Sequence, residues 1–236
     1  RRSANAILLG AKQRRMTSIV SNQIHEREKS SKLMINILSH IVEFRNGESG
    51  LHVLHIQTIT EMLLRQLVQK ENNRYALSKE QIRMITTASA LHDIGKISIP
   101  DEILNKPGRL TAEEFAVIKG HSMAGANMLS ELPLDQKEEP LVKTAYEICR
   151  WHHERYDGGG YPDGLKGEEI PVSAQVVALA DVYDALTSER CYKDAYSHEK
   201  AIEMILAGQC GAFNPLMLEC LLDISSSLKK KMGYKS

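Results

Sequence analysis

The sequence lacks several features that mark large classes of protein. Aromatic residues are 5% of the 236 residues, with one Trp and three Phe, and alternating strand patterns are absent. The cysteines form no CxxC pair, and no secretory signal is visible; they are Cys149, Cys191, Cys210 and Cys220. This favours free thiols in a reducing compartment, and no apolar run is long enough to span a bilayer. We therefore expect a cytoplasmic protein without a membrane span.

The chain also lacks a net charge, because Lys and Arg together number 30 and Asp and Glu together number 30. Such a balance gives no general attraction to nucleic acid or to an anionic membrane, so we expect no nucleic-acid partner. A small anionic ligand held by a local basic cluster is still compatible with it. The chain begins at Arg1 rather than Met, and we expect it to be a fragment of something longer.

Helical spacing of apolar residues dominates the chain from residue 48 onwards. It predicts helices over His52–Lys70, Ser78–His92, Thr111–Glu131, Leu141–His153, Val172–Glu189, Ser197–Ala207 and Pro215–Lys231. Ser78 with Gln81 and Thr111 with Glu114 have the spacing of capping boxes. Two loops rich in Gly and Pro separate the helices, Ile94–Leu110 and Asp157–Pro171. We predict an all-α bundle with two functional loops.

The first 46 residues are expected to form a helical linker, and residues 47–236 the catalytic domain. Turn signals are sparse before Gly47, and apolar residues recur at loose three- and four-residue spacings: Met16, Val20, Ile24, Met34, Leu38 and Ile41. This pattern predicts a long helix that pairs with a partner helix in a homodimer. The polar stretch at 25–32 leaves two alternatives open, a solvated connector and a helix packed on its own domain.

Imidazole and carboxylate side chains recur beside one another. His92 is followed by Asp93, and the doublet His152-His153 comes about sixty residues later. Imidazole and carboxylate are two ligand types for one hard or borderline cation, and clustered metals indicate hydrolysis of a phosphate ester. The sequence therefore predicts a metal-binding site.

Further side chains are candidate members of this cluster because of where they lie in the predicted helices. Glu48 and His52 share a helix face if that helix begins by Glu48, and His121 lies on a third helix. Asp181 lies in an apolar helix, where the alternative is a buried carboxylate with a hydrogen-bond partner, and Asp184 one turn on could orient a ligand. His25, His40 and His198 are expected to have no role in the site, and His55 stays ambiguous.

Five stretches, in this order, carry a resemblance to a known family: LHDIGKISIPDEILNKPGRLT, IKGHSMAGANML, HHERYDGGGYPDGLKGEEIP, ALADVYDALTSERCYK and GAFNP. They resemble the HD-GYP family of cyclic di-GMP phosphodiesterases, a branch of the HD metal-dependent phosphohydrolases. The resemblance covers about four-fifths of the chain, from Glu48 to the C terminus. It implies the HD helical bundle.

The resemblance implies a ligand set for two or three divalent metal ions. His52, His92, Asp93 and Asp181 would supply the basic site, His121, His152 and His153 a second position, and Glu48 a third. No cysteine matches a ligand position, so nitrogen and oxygen ligands suit Fe or Mn, with Zn as the alternative. Lys96, beside His92 and Asp93, would contact the scissile phosphate or help to protonate the leaving oxygen; the alternative is a solvated lysine.

The resemblance also implies substrate-binding residues. Arg190 and Lys193 resemble the RxYK element that grips guanine and phosphate groups, with helix C-terminal charge as the alternative. Tyr161 would offer a stacking face, although its loop could equally be a surface turn or a docking site for diguanylate cyclase domains. Asp157, like Asp184, is expected to support the ligands from outside.

Two positions depart from the family pattern. The late element usually reads FDP, and here it is Phe213-Asn214-Pro215; Asn can still cap the following helix. His55 stands where Arg is common, which puts any supporting contact at that position in doubt.

The leading functional hypothesis is hydrolysis of cyclic di-GMP to pGpG, with a second cut to GMP as an open alternative. The alternatives are a hydrolase of a nucleotide or of a hybrid such as cyclic GMP-AMP, and a non-catalytic module that binds the ligand or a cyclase. The opening RRSANAILLGAKQ resembles the end of a receiver domain's last helix, so we expect the output domain of a response regulator.

Overall fold

A computed structural model of the chain describes residues 23, 26, 29–46, 50–189 and 195–233. Within these ranges the structure is helical and contains no strand, which confirms the all-α prediction. Residues 29–45 form α1. The later helices are α2 His52–Leu67, α3 Lys79–Ala88, α4 Asp101–Leu104, α5 Ala112–Ser130, α6 Leu134–Lys137, α7 Pro140–Trp151, α8 Val172–Thr187, α9 His198–Leu206 and α10 Pro215–Lys231. Short 3-10 helices cover Ser89–Leu91, Ile94–Ser98 and Gly167–Glu169.

The core is centred on α2 and α8, which pack against each other. Helix α8 is apolar around most of its circumference, with Val176, Val177 and Leu179 fully buried, as expected for a central helix. Helix α2 buries Ile56 and Leu63 on the face that meets α8 and α10. On the other side, α5 packs on α7 and on the Ile94–Ser98 segment. These two layers place the start of α2, the middle of α5 and the end of α7 near one another.

Local sequence signals account for several helix ends. Helix α10 begins and ends as predicted, and the Asn214 side chain accepts a hydrogen bond from Leu216 N at 2.9 Å, so Asn serves as the cap. Both capping boxes are present: Ser78 and Thr111 each accept from the backbone N–H three residues on, and the side chain there accepts in return. These caps satisfy N–H groups that a helix start leaves without partners.

Two predicted boundaries need correction at the site. The helix predicted over Ser78–His92 ends at Ala88 and tightens into the 3-10 helix Ser89–Leu91, because the chain must turn where His92 and Asp93 point inward. The loop predicted over Ile94–Leu110 contains a 3-10 helix and α4. Helix α2 begins only at His52, so the condition for Glu48 and His52 to share its face is not met; Glu48 itself lies outside the described residues.

Among the described residues, none of the helices is both long and apolar enough to cross a bilayer.

Candidate metal centre

Two groups of imidazole and carboxylate side chains converge from distant parts of the chain. One group contains His52, His92 and Asp181, and the other contains Asp93, His121, His152 and His153. Within each group the candidate ligand atoms lie within 4.8 Å of one another. They are supplied by the start of α2, the residues just after α7, the middle of α5 and of α8, and the turn after Leu91. Seven of the eight metal ligands expected from the sequence are therefore brought together.

The Asp93 carboxylate lies between the two groups. Its Oδ2 is 3.2 Å from His92 Nε2, and its Oδ1 is 3.1 Å from His121 Nε2. The residue is 8% exposed, so protein groups surround both oxygens. A carboxylate with one oxygen towards each group is suited to joining two adjacent cations.

Four of the histidines have their ring orientation set by an acceptor on the far side of the ring. The Nδ1 atom of His52 donates to the Asp184 carboxylate at 2.6 Å. The other three Nδ1 atoms donate to backbone carbonyls: that of His92 to Ser89 O at 3.0 Å, that of His121 to Ile118 O at 2.7 Å and that of His152 to Ile148 O at 2.8 Å. Carboxylate and carbonyl oxygens only accept, so each Nδ1 carries the proton. Each Nε2 then presents a lone pair to the cluster, as a metal ligand requires.

The spacing of these lone pairs tests whether the residues fit metal ions. The Nε2 atoms of His52 and His92 are 3.3 Å apart, and those of His121 and His152 are 3.4 Å apart. In the neutral Nδ1–H tautomers no hydrogen lies between the two facing Nε2 lone pairs, and a cation between them would relieve their repulsion. Burial would lower the pKa of His92, but Asp93 and Asp181 raise it, and the same carboxylates favour a cation at this position. Two imidazole nitrogens that bind one ion at about 2.1 Å lie about 3.0 to 3.4 Å apart at octahedral or tetrahedral angles. The donor set therefore fits divalent cations.

Electrostatics favours the same conclusion. Burial, with the neighbouring imidazoles His92 and His121, lowers the pKa of His152 to about 3, and burial holds the pKa of His153 well below its usual value. Both rings are therefore neutral at neutral pH and free to act as ligands. Burial alone would raise the pKa of Asp93, but Lys96 and His92 hold it well below its ordinary value. The carboxylate is thus charged and offers the negative charge that cations need.

Asp184 connects the cluster to α8. Its side chain is 1% exposed, and besides His52 it accepts hydrogen bonds from His55 Nδ1 at 2.7 Å and from Ser188 Oγ at 2.9 Å. Burial would raise its pKa, but the hydrogen bonds from the two histidines lower it. His55, in the position where Arg is common, therefore does contact the buried carboxylate. Asp184 is placed to hold the tautomer and orientation of His52.

Lys96 and Tyr161 each contact a residue of the cluster. Lys96 Nζ is 2.7 Å from Asp93 Oδ2, at the partly exposed mouth of the site. The Tyr161 ring stacks on His153, with 4.8 Å between centroids and 27° between planes. Lys119 Nζ lies 5.7 Å from the Tyr161 ring centroid. Sequence reasoning missed Lys119, although its position two residues before His121 in IKGHS was visible.

The remaining site predictions have different outcomes. Asp157 does not support a ligand: its exposed side chain accepts a hydrogen bond from Gly159 N at 2.9 Å and so closes its own turn. Arg190 and Lys193 lie outside the described residues. His198 is buried away from the cluster, between Tyr183 Oη at 2.6 Å and Ser225 Oγ at 2.8 Å.

Glu154 is a site-forming residue that sequence reasoning missed. It is 5% exposed and accepts three backbone hydrogen bonds, from Asp163 N at 2.7 Å, Gly164 N at 3.1 Å and Leu165 N at 3.1 Å. It therefore anchors the loop that carries Tyr161. Its position directly after His152-His153 was only a weak signal. Because its partners are backbone amides, which every residue type except Pro has, the sequence does not show which residues it binds.

We expect Glu154→Gln to destabilise the metal-free protein by about 2 kcal/mol, since a hydrogen bond to a charged acceptor is lost and an amide N–H faces the Leu165 N–H. Urea unfolding measures the stability, and hydrogen exchange of residues 161–166 should quicken. Glu203→Gln is the matched control, because the Glu203 side chain is 65% exposed and pairs with Lys200 in its own helix. Equal unfolding midpoints for the two variants would contradict the anchoring role.

Comparison with known proteins agrees with this arrangement. Residues 32–213 match the HD domain family. The chain is 40% identical over 203 residues to a probable cyclic di-GMP phosphodiesterase of Vibrio cholerae, covering 84% of this chain and 45% of that protein. It is 36% identical over 228 residues to the cyclic di-GMP phosphodiesterase response regulator RpfG of Xanthomonas campestris, covering 97% and 56%.

A third relative differs in its substrate. The chain is 39% identical over 197 residues to a 3'3'-cGAMP-specific phosphodiesterase of V. cholerae, covering 84% of this chain and 35% of that protein. Among solved structures, the HD-GYP-type protein Bd1817 of Bdellovibrio bacteriovorus has the same fold, with a TM-score of 0.55 at 22% identity, covering 74% of this chain and 51% of the other. The chain spans between about a third and just over half of the length of these three curated relatives.

The match covers well over half of the chain, so the chain belongs to the HD domain family. Within that family, the resemblance to the HD-GYP branch that its motifs carry is confirmed.

Proposed function

We propose that this chain is a metal-dependent phosphodiesterase that hydrolyses cyclic di-GMP to pGpG, and pGpG further to GMP. The observation that carries the proposal is the pair of adjacent ligand groups joined by Asp93. Relatives in two genera are named cyclic di-GMP phosphodiesterases, and we take the proposed substrate from these names. Zero net charge is compatible with a small dianionic ligand, because Lys96 beside Asp93 and Lys119 near the Tyr161 ring provide local positive charge.

The described ligand groups would hold two metal ions, with Glu48 proposed as a ligand for a third. Nitrogen and oxygen donors without thiolate suit Fe or Mn, with Zn as the alternative. When bound, such ions lower the pKa of a coordinated water and neutralise phosphoryl oxygens.

The chain's own residues then position the substrate. Lys96 Nζ, 2.7 Å from Asp93 Oδ2, is placed to contact the scissile phosphate and to give a proton to the leaving 3'-oxygen. The Tyr161 ring, stacked on His153, is placed to receive a guanine base. Arg190 and Lys193 are proposed to bind the guanine and phosphate groups. His92, His121 and His152 are buried, and exclusion of bulk water from such a site strengthens these charge interactions.

The proposal is tested by incubating the purified protein, loaded anaerobically with Fe, Mn or Zn, with cyclic di-GMP and separating the products. We expect pGpG to appear first and GMP later. Lys96→Ala should lower kcat by about 10²-fold, as for loss of one preorganised charged donor. Lys229→Ala, which removes a surface lysine paired with Glu199, is the matched control. No product with any of the three metals would contradict the proposal and favour a binding module.

Hydrolysis of 3'3'-cGAMP is the second candidate, because one relative at 39% identity carries that specificity. The two substrates differ in one purine, so the ratio of their kcat/KM values in the same assay decides between them. A ratio above one for cyclic GMP-AMP would select the second candidate.

We further propose that α1 pairs with α1 of a second copy. Its inward face buries Ser39, Val42 and Glu43, whereas its outward face is apolar and exposed at Met34, Ile37, Ile41 and Phe44. Spacings of three, four and three residues form the seam of a coiled coil, which is self-complementary in two copies. Light scattering should show a dimer, and Ile41→Glu should make it a monomer. A monomeric parent protein at high concentration would contradict this proposal.

Other features of the proposal rest on the sequence. We propose residues 1–46 as the linker from a receiver domain to the catalytic domain 47–236, in a cytoplasmic response regulator. The loop at 157–171 is proposed to dock diguanylate cyclase domains; its exposed Gly159 and Asp163 are accessible to a partner.

A further inference from the structure

Arg45, the last residue of α1, is bound to the segment that carries Lys96. Its guanidinium donates to three backbone carbonyls, Lys96 O at 3.0 Å, Ile97 O at 2.8 Å and Ile99 O at 2.6 Å. It also donates to the Asp101 carboxylate at 2.9 Å. A single side chain thus holds the end of the 3-10 helix Ile94–Ser98 and the start of α4.

These acceptors explain why an arginine is suited to the position. The end of a helix leaves carbonyl groups without partners in the helix, and a positive charge there is favourable. The planar guanidinium presents five N–H donors from three nitrogens in a fixed fork, whereas a lysine ammonium has three donors on a single nitrogen and cannot span acceptors this far apart with the same geometry. The Arg45 carbonyl in turn accepts from Asn105 Nδ2 at 3.1 Å. The contacts therefore connect α1 to the second half of the segment that carries Lys96 and to both ends of α4.

The segment has little freedom on its other side. Lys96 contacts Asp93, and Gly95 packs against the backbone of α5 near His121. Ile97, by contrast, is 52% exposed, so packing of its side chain does not hold this part of the segment. On the solvent side, the hydrogen bonds of Arg45 hold the segment instead.

We propose that Arg45 is a positioning residue, which holds Lys96 at the metal-binding cluster and through which the placement of α1 controls the site. This inference rests on the proposed function, because Lys96 must act on a phosphodiester for its position to matter. A displacement of α1 that breaks the three carbonyl contacts releases Lys96 from the reacting phosphate while the histidine ligands stay in place.

The test compares Arg45→Gln and Arg45→Lys with Arg65→Gln, a control that removes an exposed arginine paired with Glu61 one turn away. Hydrolysis of bis(4-nitrophenyl) phosphate is measured beside cyclic di-GMP, together with metal content and hydrogen exchange of residues 94–100. Both Arg45 variants should lower kcat by about ten- to a hundredfold, as a misplaced reacting group does. Metal content should be unchanged and exchange of the segment should quicken, with neither effect in Arg65→Gln.

A double variant separates positioning from a general structural role. In a Lys96→Gln background, Arg45→Gln should change kcat by about twofold or less, because coupled residues are not additive. Full multiplication of the two losses, or unchanged exchange at residues 94–100, would overturn the inference. If Arg45→Gln does not fold, Asp101→Asn replaces it, with a smaller loss of the same kind expected. If the parent protein cleaves bis(4-nitrophenyl) phosphate but not cyclic di-GMP, the proposed function is contradicted. The role of Arg45 is then still tested by the hydrolysis of bis(4-nitrophenyl) phosphate.

Discussion

Asp93→Asn will deprive the protein of bound metal and lower phosphodiester hydrolysis by about 10²- to 10³-fold or more, on the scale of losing one preorganised electrostatic group. The reason is that both carboxylate oxygens are in use, one towards His92 and Lys96 and the other towards His121. Asn removes the negative charge and turns an amide N–H towards one of these groups. Asp181, the other carboxylate of the two groups, lies with His52 and His92.

Metal analysis and steady-state kinetics after identical loading measure this effect. Asp223→Asn is the matched control, because Asp223 is a surface carboxylate that binds Lys70 and Gln66. It should retain the metal content and kcat of the parent protein. An Asp93→Asn protein with full metal content and parental kcat would show that Asp93 does not join the two groups.

Gly95→Ala is expected to have the second-largest effect, destabilising the metal-free protein by about 3 kcal/mol, the upper range for overpacking. A Cβ on Gly95 would lie 2.0 Å from His121 O and 2.4 Å from Gly125 N. Both atoms are backbone, so the Ile94–Ser98 segment and α5 must move apart. That movement would separate Lys96 and Asp93 from His121, and metal affinity should fall together with stability.

Gly120→Ala is a matched control on the same structural element. It lies in α5 beside His121, and an added Cβ there meets nothing within 4 Å. Because Ala is the better helix former, this variant should gain up to about 1 kcal/mol. Urea unfolding gives both values. Similar midpoints for the two variants would show that the close approach at Gly95 can relax without cost.

Local signals in the sequence predicted much of the fold. The capping boxes at Ser78 and Thr111 and the Pro215–Lys231 helix are present as predicted, because each depends on contacts within one helical turn. The end of α3 was wrong: Ser89–Leu91 is tighter than an α-helix, since the chain there must turn His92 and Asp93 inward. That requirement comes from helices far away in the sequence.

The site residues also divide into those that sequence patterns indicated and those that they did not. Motif order indicated seven of the residues that the structure brings together. The position of Asp184 one turn after Asp181 suggested that it orients a ligand, and the structure shows that its partner is His52. Glu154 and Arg45 gave no comparable signal, because the groups they bind are backbone N–H and C=O groups. Asp157 was misjudged because a carboxylate beside a motif can serve its own turn.

The sequence by itself determined the helical class, the caps and the supply of nitrogen and oxygen donors, since these depend on residue type and near-neighbour spacing. Only the tertiary structure decided which lone pairs face one another, that Asp93 lies between the two groups, and that Arg45 holds the segment of Lys96. The physical reason is that each of these relations joins side chains or backbone groups carried by different helices and loops. Their distances follow from how buried apolar faces pack together rather than from any local pattern.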